Sequence, residues 1–471
     1  MASSSSPQAD HLAVLIHGLW GQPKHLDFVR NALREEHAED DLHILVATCI
    51  GDNKTYDGIE VGGERVANEI EEKLAQLEQD GHTIRKISIA GYSLGGLIAR
   101  YAIGVLYSSG LFDRIQPVNF TTFATPHLGV RTPKRGARSY LFNVLGAKTL
   151  STSGQQMFLV DTFRDTKRPL LSVMADPNSA FVKGLSMFKN KWIYANTMND
   201  RSVPYYTAAM SRIDPFVDLD KITVHYLSPP GEVILDYSNP ATPRRSPWED
   251  MTTLEKIRAA PRQTMKTLPF YLVLLTLMPI AIPAFLLNAG YQTYRSAQRI
   301  RHHESGSAFN LDKYRVRLLE EAEAATDRAY ENLANSTREE YLPTPASESA
   351  SSSASTSSSS SSISNLKNSN TERRKGEEEG KEEADLRKLS RRESKREKCH
   401  DFPLLALTTE QFDMIDHLDR CVGFEKFPVH IQKVRHTHAA IVVRMQKPLS
   451  GAESFSEGVV VVKHWASKFE I

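Results

Sequence analysis

A short apolar run, KISIAG at residues 86–91, stops at a glycine-rich turn, and the apolar-periodic segment LGGLIARYAIGVLY at 94–107 begins at once. This order predicts a buried strand, a tight turn and a helix that packs back onto the strand. Strand-like and helix-like segments alternate in the same way through residues 11–230. Since strands joined by helices usually lie parallel, the chain is predicted to be an α/β protein with a mostly parallel sheet covered on both faces.

The alternation defines a first set of elements. The predicted strands occupy residues 12–16, 42–49, 86–91, 118–125 and 191–197, and the predicted helices occupy 24–37, 62–79 and 94–107. Near the end of the chain, the apolar run AAIVV after His438 is predicted to be a strand, and GVVVVKHW at 458–465 is predicted to be a strand or the start of a terminal helix.

The sequence pattern changes after residue 230, which suggests several successive regions. A Ser-rich tract and a mixed-charge run lack the apolar content for a core and predict disorder. The predicted regions are a first part of the core at 10–230, a linker at 231–266, a hydrophobic membrane-anchoring segment at 267–294, a polar helical segment at 295–341, a disordered insertion at 342–400 and a last part of the core at 401–471.

Composition excludes some classes of function. The chain has 471 residues with 58 basic and 57 acidic side chains, so no overall field attracts nucleic acid. Three scattered cysteines are too few for a disulfide framework or a zinc cluster and suit a reducing compartment. The first residues lack the basic and then apolar pattern of a secretory signal, so none is expected.

Ser93 lies in the sequence Gly-x-Ser-x-Gly, between the strand and the helix of the opening motif. This is the setting of a nucleophile elbow, in which a strained turn lifts the serine hydroxyl above the end of the sheet. Gly91 and Gly95 are expected because larger side chains would collide with the neighbouring strand and helix. Ser93 is therefore predicted to be a nucleophile, as opposed to a serine in a loop that only turns the chain.

Two backbone N–H groups are predicted to stabilise an oxyanion beside Ser93. One is the N–H of Leu94, at the positive N-terminal end of the helix. The other follows the first strand, in LIHGLWGQ at 15–22, where Leu19 is the expected donor and Trp20 is the alternative. His17 in this loop is expected to be structural and not a general base.

In an α/β-hydrolase, the acid and then the base follow the serine in the sequence. Asp200 comes just after a predicted strand and is the favoured acid, while Asn199 cannot carry the charge that orients a histidine. Weaker candidates for the acid, which lack the strand-then-loop setting, are Asp176, Asp214 and Asp218.

The base is less constrained, and the candidates are His225, His430, His436 and His438. His225 lies in a strand-like run, where a packed histidine is expected. His436 and His438 precede an apolar run, and residues two apart in an extended segment point to opposite sides, so one of the two should suit the site.

Several of these segments together resemble a fungal-type serine esterase family of the α/β-hydrolase superfamily, which includes lipid-droplet phospholipases and monoacylglycerol lipases. The matching segments are VLIHGLWG (14–21), GYSLGGLIARYAIG (91–104), FATPHLG (123–129), NDRSVPY (199–205) and HAAIVVR (438–444). The resemblance implies an α/β-hydrolase fold with Ser93 as nucleophile, Asp200 as acid and His438 as base. It covers residues 10–230 and 425–468 and leaves 231–424 unmatched.

Residues 267–294 contain no charged side chain and are long enough to cross a bilayer as a helix. A single crossing would separate Ser93 from His438, however, and the basic residues on both flanks predict that both ends stay on the cytosolic side. Pro279 and Pro283 near the middle suggest a bend. The sequence therefore predicts a half-inserted hairpin in a membrane or a lipid-droplet surface.

The sequence favours a serine lipase or phospholipase that hydrolyses acyl esters of glycerolipids through an acyl-enzyme, without a metal or organic cofactor. The expected location is the lipid droplet or the endoplasmic reticulum membrane, with the catalytic domain facing the cytosol. One alternative is an esterase or thioesterase acting on soluble esters or acylated proteins. Another is a non-catalytic adaptor with a hydrolase fold, against which the Ser93 motif argues.

Overall fold

The structure is a computed structural model that describes residues 9–131, 143, 146–227, 231–244, 262–305, 402, 404–444 and 455–471. Within 262–305, side chains are described from residue 283 onward. The predicted disordered insertion at 342–400 and the predicted polar helical segment beyond residue 305 lie outside the described residues.

The central sheet has six strands, all parallel, in the order β2-β1-β3-β4-β5-β8. Its strands are β1 (His11–Ile16), β2 (His43–Val46), β3 (Lys86–Tyr92), β4 (Gln116–Phe123), β5 (Asn190–Asn196) and β8 (Glu425–Val429). A separate antiparallel pair is formed by β6 (Ile222–Thr223) and β7 (Thr242–Pro243). The parallel sheet confirms the predicted α/β class, and the turn after β3 gives it the α/β-hydrolase form.

Helices cover both faces of the sheet. The described helices are α1 (Asp27–Glu36), α2 (Ile59–Gln79), α3 (Leu94–Ser108), α4 (Ser151–Met157), α5 (Leu170–Val173), α6 (Ala180–Ser186), α7 (Tyr205–Ala208), α8 (Arg262–Glu304), α9 (Thr409–Cys421), α10 (Thr437–Ala440) and α11 (Ser456–Lys468). Short 3₁₀ helices lie at Pro23–Leu26, Asp52–Tyr56, Leu111–Asp113, Arg164–Thr166, Pro215–Val217 and Leu219–Lys221.

Strand residues alternate between two packed layers, as the pleat of a sheet requires. On one face, Ala13 and Leu15 of β1 join a buried cluster with α1 and α11, in which Trp465 is fully buried. On the other face, α3 packs between α2 and α6 and is buried along almost its whole length. Covering both faces in this way leaves the carboxyl ends of the strands as the place for a site.

The last part of the chain returns to the sheet through β8, which pairs with β5. The terminal segment that was ambiguous in sequence is the helix α11. The strand predicted for AAIVV is wrong, because the chain there forms the short helix α10 followed by a turn that buries Ile441, Val442 and Val443. A short apolar run signals burial without fixing the backbone period, and a turn can bury it equally well.

The described beginning of the predicted linker packs against the core. Val233, Ile234 and Leu235 are buried. Ile234 forms an antiparallel bridge to Val429, and the Leu235 N–H donates to the Pro428 carbonyl over 2.8 Å. These three consecutive apolar residues cover the β8 edge, so the boundary of the core lies beyond residue 230.

The structure does not support the predicted hairpin, because the backbone from Arg262 to Glu304 is one continuous helix, α8. Pro279 and Pro283 each remove one backbone N–H donor, but both lie inside this helix and do not end it. Among the helices whose side chains are described, none combines the length and the apolar character needed to cross a membrane. The side chains of 267–282, most of the predicted anchor, lie outside the described residues.

Candidate active site

Ser93 forms the sharp turn between β3 and α3, with φ 55° and ψ −127°. This left-handed backbone is strained for a residue other than glycine, and strain of this kind concentrates at functional sites. The flanking glycines are sterically required: a Cβ on Gly91 would lie 2.4 Å from the Gly96 Cα, and one on Gly95 would lie 2.2 Å from the Ile16 carbonyl oxygen. The turn therefore forms as the sequence predicted.

The structure brings Ser93, His438 and Asp200 into one hydrogen-bonded chain. The His438 Nε2 lies 3.0 Å from the Ser93 Oγ, and the His438 Nδ1 lies 2.8 Å from the Asp200 Oδ2. With Asp200 ionised, Nδ1–H donates to the carboxylate and Nε2 accepts from the serine hydroxyl. This is the arrangement that a serine nucleophile and its base require.

Asp200 lies in the loop after β5 and is fixed by three further donors. The Asn196 side chain donates to its Oδ2 over 2.9 Å, and the Ser202 and Val203 N–H groups donate to its Oδ1 over 3.0 and 2.8 Å. Its side chain is 2% exposed. A carboxylate that is held by N–H donors remains an acceptor and fixes the orientation of the imidazole.

His438 lies in the short helix α10, which is tied to the rest of the site from two sides. The Tyr92 hydroxyl donates to the His438 carbonyl over 2.8 Å, and the Thr437 hydroxyl donates to the Met198 carbonyl over 3.0 Å. Burial is the largest cause that raises the pKa of Tyr92, which keeps its hydroxyl a donor. Sequence reasoning missed Tyr92, Thr437 and Asn196, although Tyr92 is adjacent to the predicted nucleophile.

The other candidate bases lie elsewhere. His436 is exposed and immediately precedes α10, His430 is buried with its Nδ1 2.8 Å from the Tyr226 hydroxyl, and His225 is half-buried. Since α10 is helical, the expectation of two histidines pointing to opposite sides of a strand does not apply. Within the described residues, His438 alone places a ring nitrogen within hydrogen-bond distance of the Ser93 hydroxyl.

His17 is structural in its contacts, as expected. Its ring is buried, its Nδ1 lies 3.2 Å from the Gly18 carbonyl, and burial lowers its pKa. The weaker candidates for the acid also make separate contacts. Asp176 pairs with Arg168, Asp214 caps the 3₁₀ helix that begins at Pro215, and Asp218 pairs with Lys221.

Two N–H groups beside Ser93 suit an oxyanion. Across the part of the chain that the structure describes, the N–H groups of Leu19 and Leu94 make no hydrogen bond. The N–H of Trp20, the alternative donor, is already used, because it donates to the Thr55 hydroxyl over 3.1 Å. A Cβ on Gly18 would lie 3.2 Å from the Ser93 Oγ, so the loop of Leu19 passes directly beside the nucleophile.

Residues 6–212 match the family model described as putative serine esterase (DUF676). Among curated proteins, the chain is similar to putative lipase C4A8.10 of Schizosaccharomyces pombe, with 29% identity over 44% of this chain and 27% of that protein. It is also similar to putative lipase ROG1 of Saccharomyces cerevisiae, with 31% identity over 43% of this chain and 29% of that protein. The chain thus spans less than a third of the length of these relatives.

Solved structures give more distant likenesses. Phospholipase PlaB from Legionella pneumophila has 12% identity and a TM-score of 0.26, with 50% of this chain and 51% of that chain covered. The cutinase of Trichoderma reesei has 20% identity and a TM-score of 0.19, with 26% and 55% covered. The fold assignment therefore rests on the parallel sheet and the Ser93 turn, and the likeness to the serine esterase family covers residues 6–212.

Proposed function

We propose, from the premise that residues 6–212 carry a serine esterase domain, that this protein is a lipase or phospholipase that hydrolyses acyl esters of glycerolipids. The observation that carries the proposal is the chain of hydrogen bonds from Ser93 through His438 to Asp200 at a strained turn. Ser93 is the proposed nucleophile, His438 the general base and Asp200 the acid that orients it.

In the proposed reaction, the Ser93 Oγ attacks the ester carbonyl while its proton moves to the His438 Nε2. The N–H groups of Leu19 and Leu94 stabilise the tetrahedral oxyanion. His438 then gives the proton to the departing alcohol, which leaves an acyl-enzyme on Ser93. A water molecule, deprotonated by the same histidine, hydrolyses the acyl-enzyme and releases a fatty acid.

Exposed apolar side chains favour a lipid substrate. They lie in α8, just after residue 283, from which its side chains are described. Phe285, Leu286 and Leu287 are 52%, 46% and 76% exposed. They continue the chargeless stretch 267–294, which basic residues flank on both sides. Apolar side chains with basic neighbours suit a lipid surface that carries anionic headgroups.

Contact with one leaflet or with a droplet monolayer fits the way the chain is held on each side of this segment. Before it, Thr242–Pro243 pairs with β6, and after it, α8 docks on the core through Ser296, Arg299 and His303. Both attachments belong to the same core, so we propose that this helix lies along the lipid surface on the side of that core. The proposed locations are the lipid droplet and the cytosolic face of the endoplasmic reticulum membrane.

The test of catalysis is lipid-class profiling with purified protein. Wild-type protein and Ser93→Ala are incubated with vesicles containing long-chain phospholipid or monoacylglycerol, and separately with a soluble short-chain ester and an acylated peptide. We expect wild-type protein alone to release fatty acid, fastest from the long-chain lipids. Equal release by both proteins would exclude a Ser93 enzyme, and a preference for the soluble ester or the peptide would favour the esterase or thioesterase alternative.

The test of the lipid contact is vesicle flotation with a matched control. Replacing Phe285, Leu286 and Leu287 together by aspartate should abolish flotation with anionic vesicles, because charge at these positions opposes insertion. Met187→Asp changes an apolar residue that is 42% exposed just before β5, at the amino ends of the strands, and should float like wild-type protein. Equal flotation of both variants would show that these three α8 residues are not the lipid contact.

A further inference from the structure

The helix α8 docks on the core through charged groups next to α2. Arg299 contacts both oxygens of Asp57 at 2.7 to 3.0 Å, and its Nη2 also donates to the Asn53 carbonyl over 2.8 Å. Asp57 is fully buried and also pairs with Arg65 at 2.8 Å. Since a buried carboxylate that loses its partner is costly, these contacts fix α8 against the 3₁₀ helix Asp52–Tyr56.

The same 3₁₀ helix holds the loop that carries the proposed oxyanion donor. We call residues 17–22 the oxyanion loop. The Asp52 N–H donates to the Gly21 carbonyl over 2.9 Å, and the Asp52 carboxylate accepts from the Gln22 side chain over 2.6 Å. The Thr55 hydroxyl accepts from the Trp20 N–H over 3.1 Å.

The oxyanion loop needs this support because part of its backbone is strained. Trp20 has φ 52°, a left-handed conformation that is strained for a bulky residue and persists only where the surroundings enforce it. The hydrogen bond from its N–H to Thr55 is such a constraint. Leu19, the proposed donor, immediately precedes Trp20, so movement of Trp20 would change the direction of the donor.

We propose that Arg299 is a positioning residue for the oxyanion hole: it holds the 3₁₀ helix Asp52–Tyr56, which in turn holds the oxyanion loop. This inference rests on the proposed function, because it assigns a role to the Leu19 N–H. Arg299 lies outside residues 6–212, so the serine esterase domain receives this support from a later helix. The same helix carries the exposed apolar side chains of the proposed lipid contact. Through Arg299 and the 3₁₀ helix Asp52–Tyr56, α8 therefore connects that contact to the oxyanion loop.

The test uses a water-soluble ester, p-nitrophenyl butyrate, so that lipid binding does not enter the measurement. Arg299→Ala should lower kcat about tenfold, part of the roughly 10²–10³-fold loss seen when one oxyanion donor is removed, with KM nearly unchanged. Affinity for a trifluoromethyl ketone, which forms an oxyanion on the serine, should fall by the same factor as kcat/KM. Arg299→Lys should keep part of the activity, because its ammonium reaches Asp57 but cannot reproduce the two-sided contact of the guanidinium.

Arg295→Ala is the matched control, because Arg295 is an exposed arginine one helical turn away on α8. It should match wild-type protein in kcat, KM and inhibitor affinity. Wild-type kcat and inhibitor affinity in folded Arg299→Ala would overturn the inference while leaving the proposed function intact. An active Ser93→Ala would instead remove the proposed function itself.

A second variant decides the matter if Arg299→Ala does not fold. Thr55→Val keeps the shape of a residue that is 2% exposed and removes two hydrogen bonds of the link, the one from the Trp20 N–H and the one that the hydroxyl donates to the Asp52 carbonyl. It should reproduce the fall in kcat and in inhibitor affinity at an unchanged KM. Wild-type values in both Thr55→Val and Arg299→Lys would contradict the proposed link between α8 and the oxyanion loop.

Discussion

Within the described residues, two serine hydroxyls form a hydrogen bond with a histidine ring, Ser88 and Ser93, which are five residues apart in the chain, and only Ser93 has the features of a nucleophilic site. Ser93 follows β3 and lies 3.0 Å from the His438 Nε2, while Ser88 lies within β3, 2.8 Å from the His11 Nε2. In both pairs the serine hydroxyl donates to the imidazole. The shorter bond belongs to the pair that has no catalytic surroundings, so distance alone does not identify a nucleophile.

The two histidines differ in what holds the second ring nitrogen. The Nδ1 of His438 meets Asp200, whereas the Nδ1 of His11 has no hydrogen-bond partner in the part of the chain that is described. Burial, and then the charge of Lys86, lower the pKa of His11 to about 3. A base of so low a pKa does not accept a proton from serine near neutral pH.

The two serines differ in backbone and in access. Ser93 has a left-handed backbone at the end of its strand, while Ser88 lies inside β3, where the pairing with β4 is irregular, and is 1% exposed. The Ser88 hydroxyl oxygen accepts from the N–H and the side-chain amide of Asn119. It is therefore a polar link between β1, β3 and β4, which satisfies buried groups without access to a substrate.

The largest expected effect is a difference in activity and in probe labelling between alanine variants of the two serines. Ser93→Ala should lower kcat by about a millionfold, as loss of a catalytic serine does in other serine hydrolases, and should abolish labelling by a fluorophosphonate probe. Ser88→Ala should label at the wild-type rate per folded molecule. Labelling of Ser93→Ala, or its loss in folded Ser88→Ala, would reverse the assignment of the two pairs.

The next largest effect is expected at Asp200, the carboxylate that contacts His438 and has no counterpart at His11 among the described residues. Asp200→Asn should lower kcat about 10⁴-fold with little change in Tm, because an amide of the same size favours the wrong tautomer of His438. Asp10→Asn is the control, since this carboxylate pairs with Lys86 at the amino ends of β1 and β3, the opposite end of the sheet from the site. Equal kcat in both variants would mean that Asp200 does not orient the base.

The sequence predicts those site residues whose signal lies in the residues next to them in the chain. The turn at Ser93 was predictable because Gly91, Gly95, the strand and the helix are all contiguous with it. Asp200 was recognisable from its position after a strand, and His438 became the favoured base only through the family resemblance. What could not be predicted depends on distant contacts, such as the hydrogen bond of Tyr92 with the His438 carbonyl.

The contact between Arg299 and Asp57, which lies partly outside residues 6–212, could not be predicted from the sequence for the same reason. Arg299 reads in sequence as one of several basic residues after an apolar stretch, and nothing local pairs it with Asp57. The Ser88–His11 bond was equally invisible, because it joins residues 77 positions apart. Composition and periodicity describe how polar a segment is, whereas a partner across the fold is fixed only by the tertiary structure.

A smaller effect concerns stability and tests the low pKa of His11. Because the unfolded chain binds a proton below pH 6.5 and the folded chain binds it only near pH 3, the free energy of unfolding should fall as the pH is lowered through this window. The His11 contribution between pH 7 and pH 5 is about 2 kcal/mol, and it should be missing in His11→Gln. Denaturant unfolding at the two pH values measures this difference.

Other groups also face His11, namely Lys86, His37 and Glu470. They are retained in both proteins, so the difference between wild-type protein and His11→Gln isolates the imidazole. A variant as sensitive to acid as wild-type protein would show that His11 already takes up its proton in the folded state.

The smallest effect tests how the imidazole of His438, the proposed base, is positioned. His11 is fixed by its own strand, whereas His438 lies in a four-residue helix and depends on the Tyr92 hydroxyl for part of its placement. Tyr92→Phe removes a hydrogen bond worth about 1 kcal/mol, so kcat should fall by up to about fivefold and stability by a similar free energy. Tyr206→Phe removes an equivalent bond, to the Arg131 carbonyl, and should cost stability without lowering kcat. If kcat fell equally in both, the loss in Tyr92→Phe would reflect stability alone, and the Ser93 turn would not help to hold its own base.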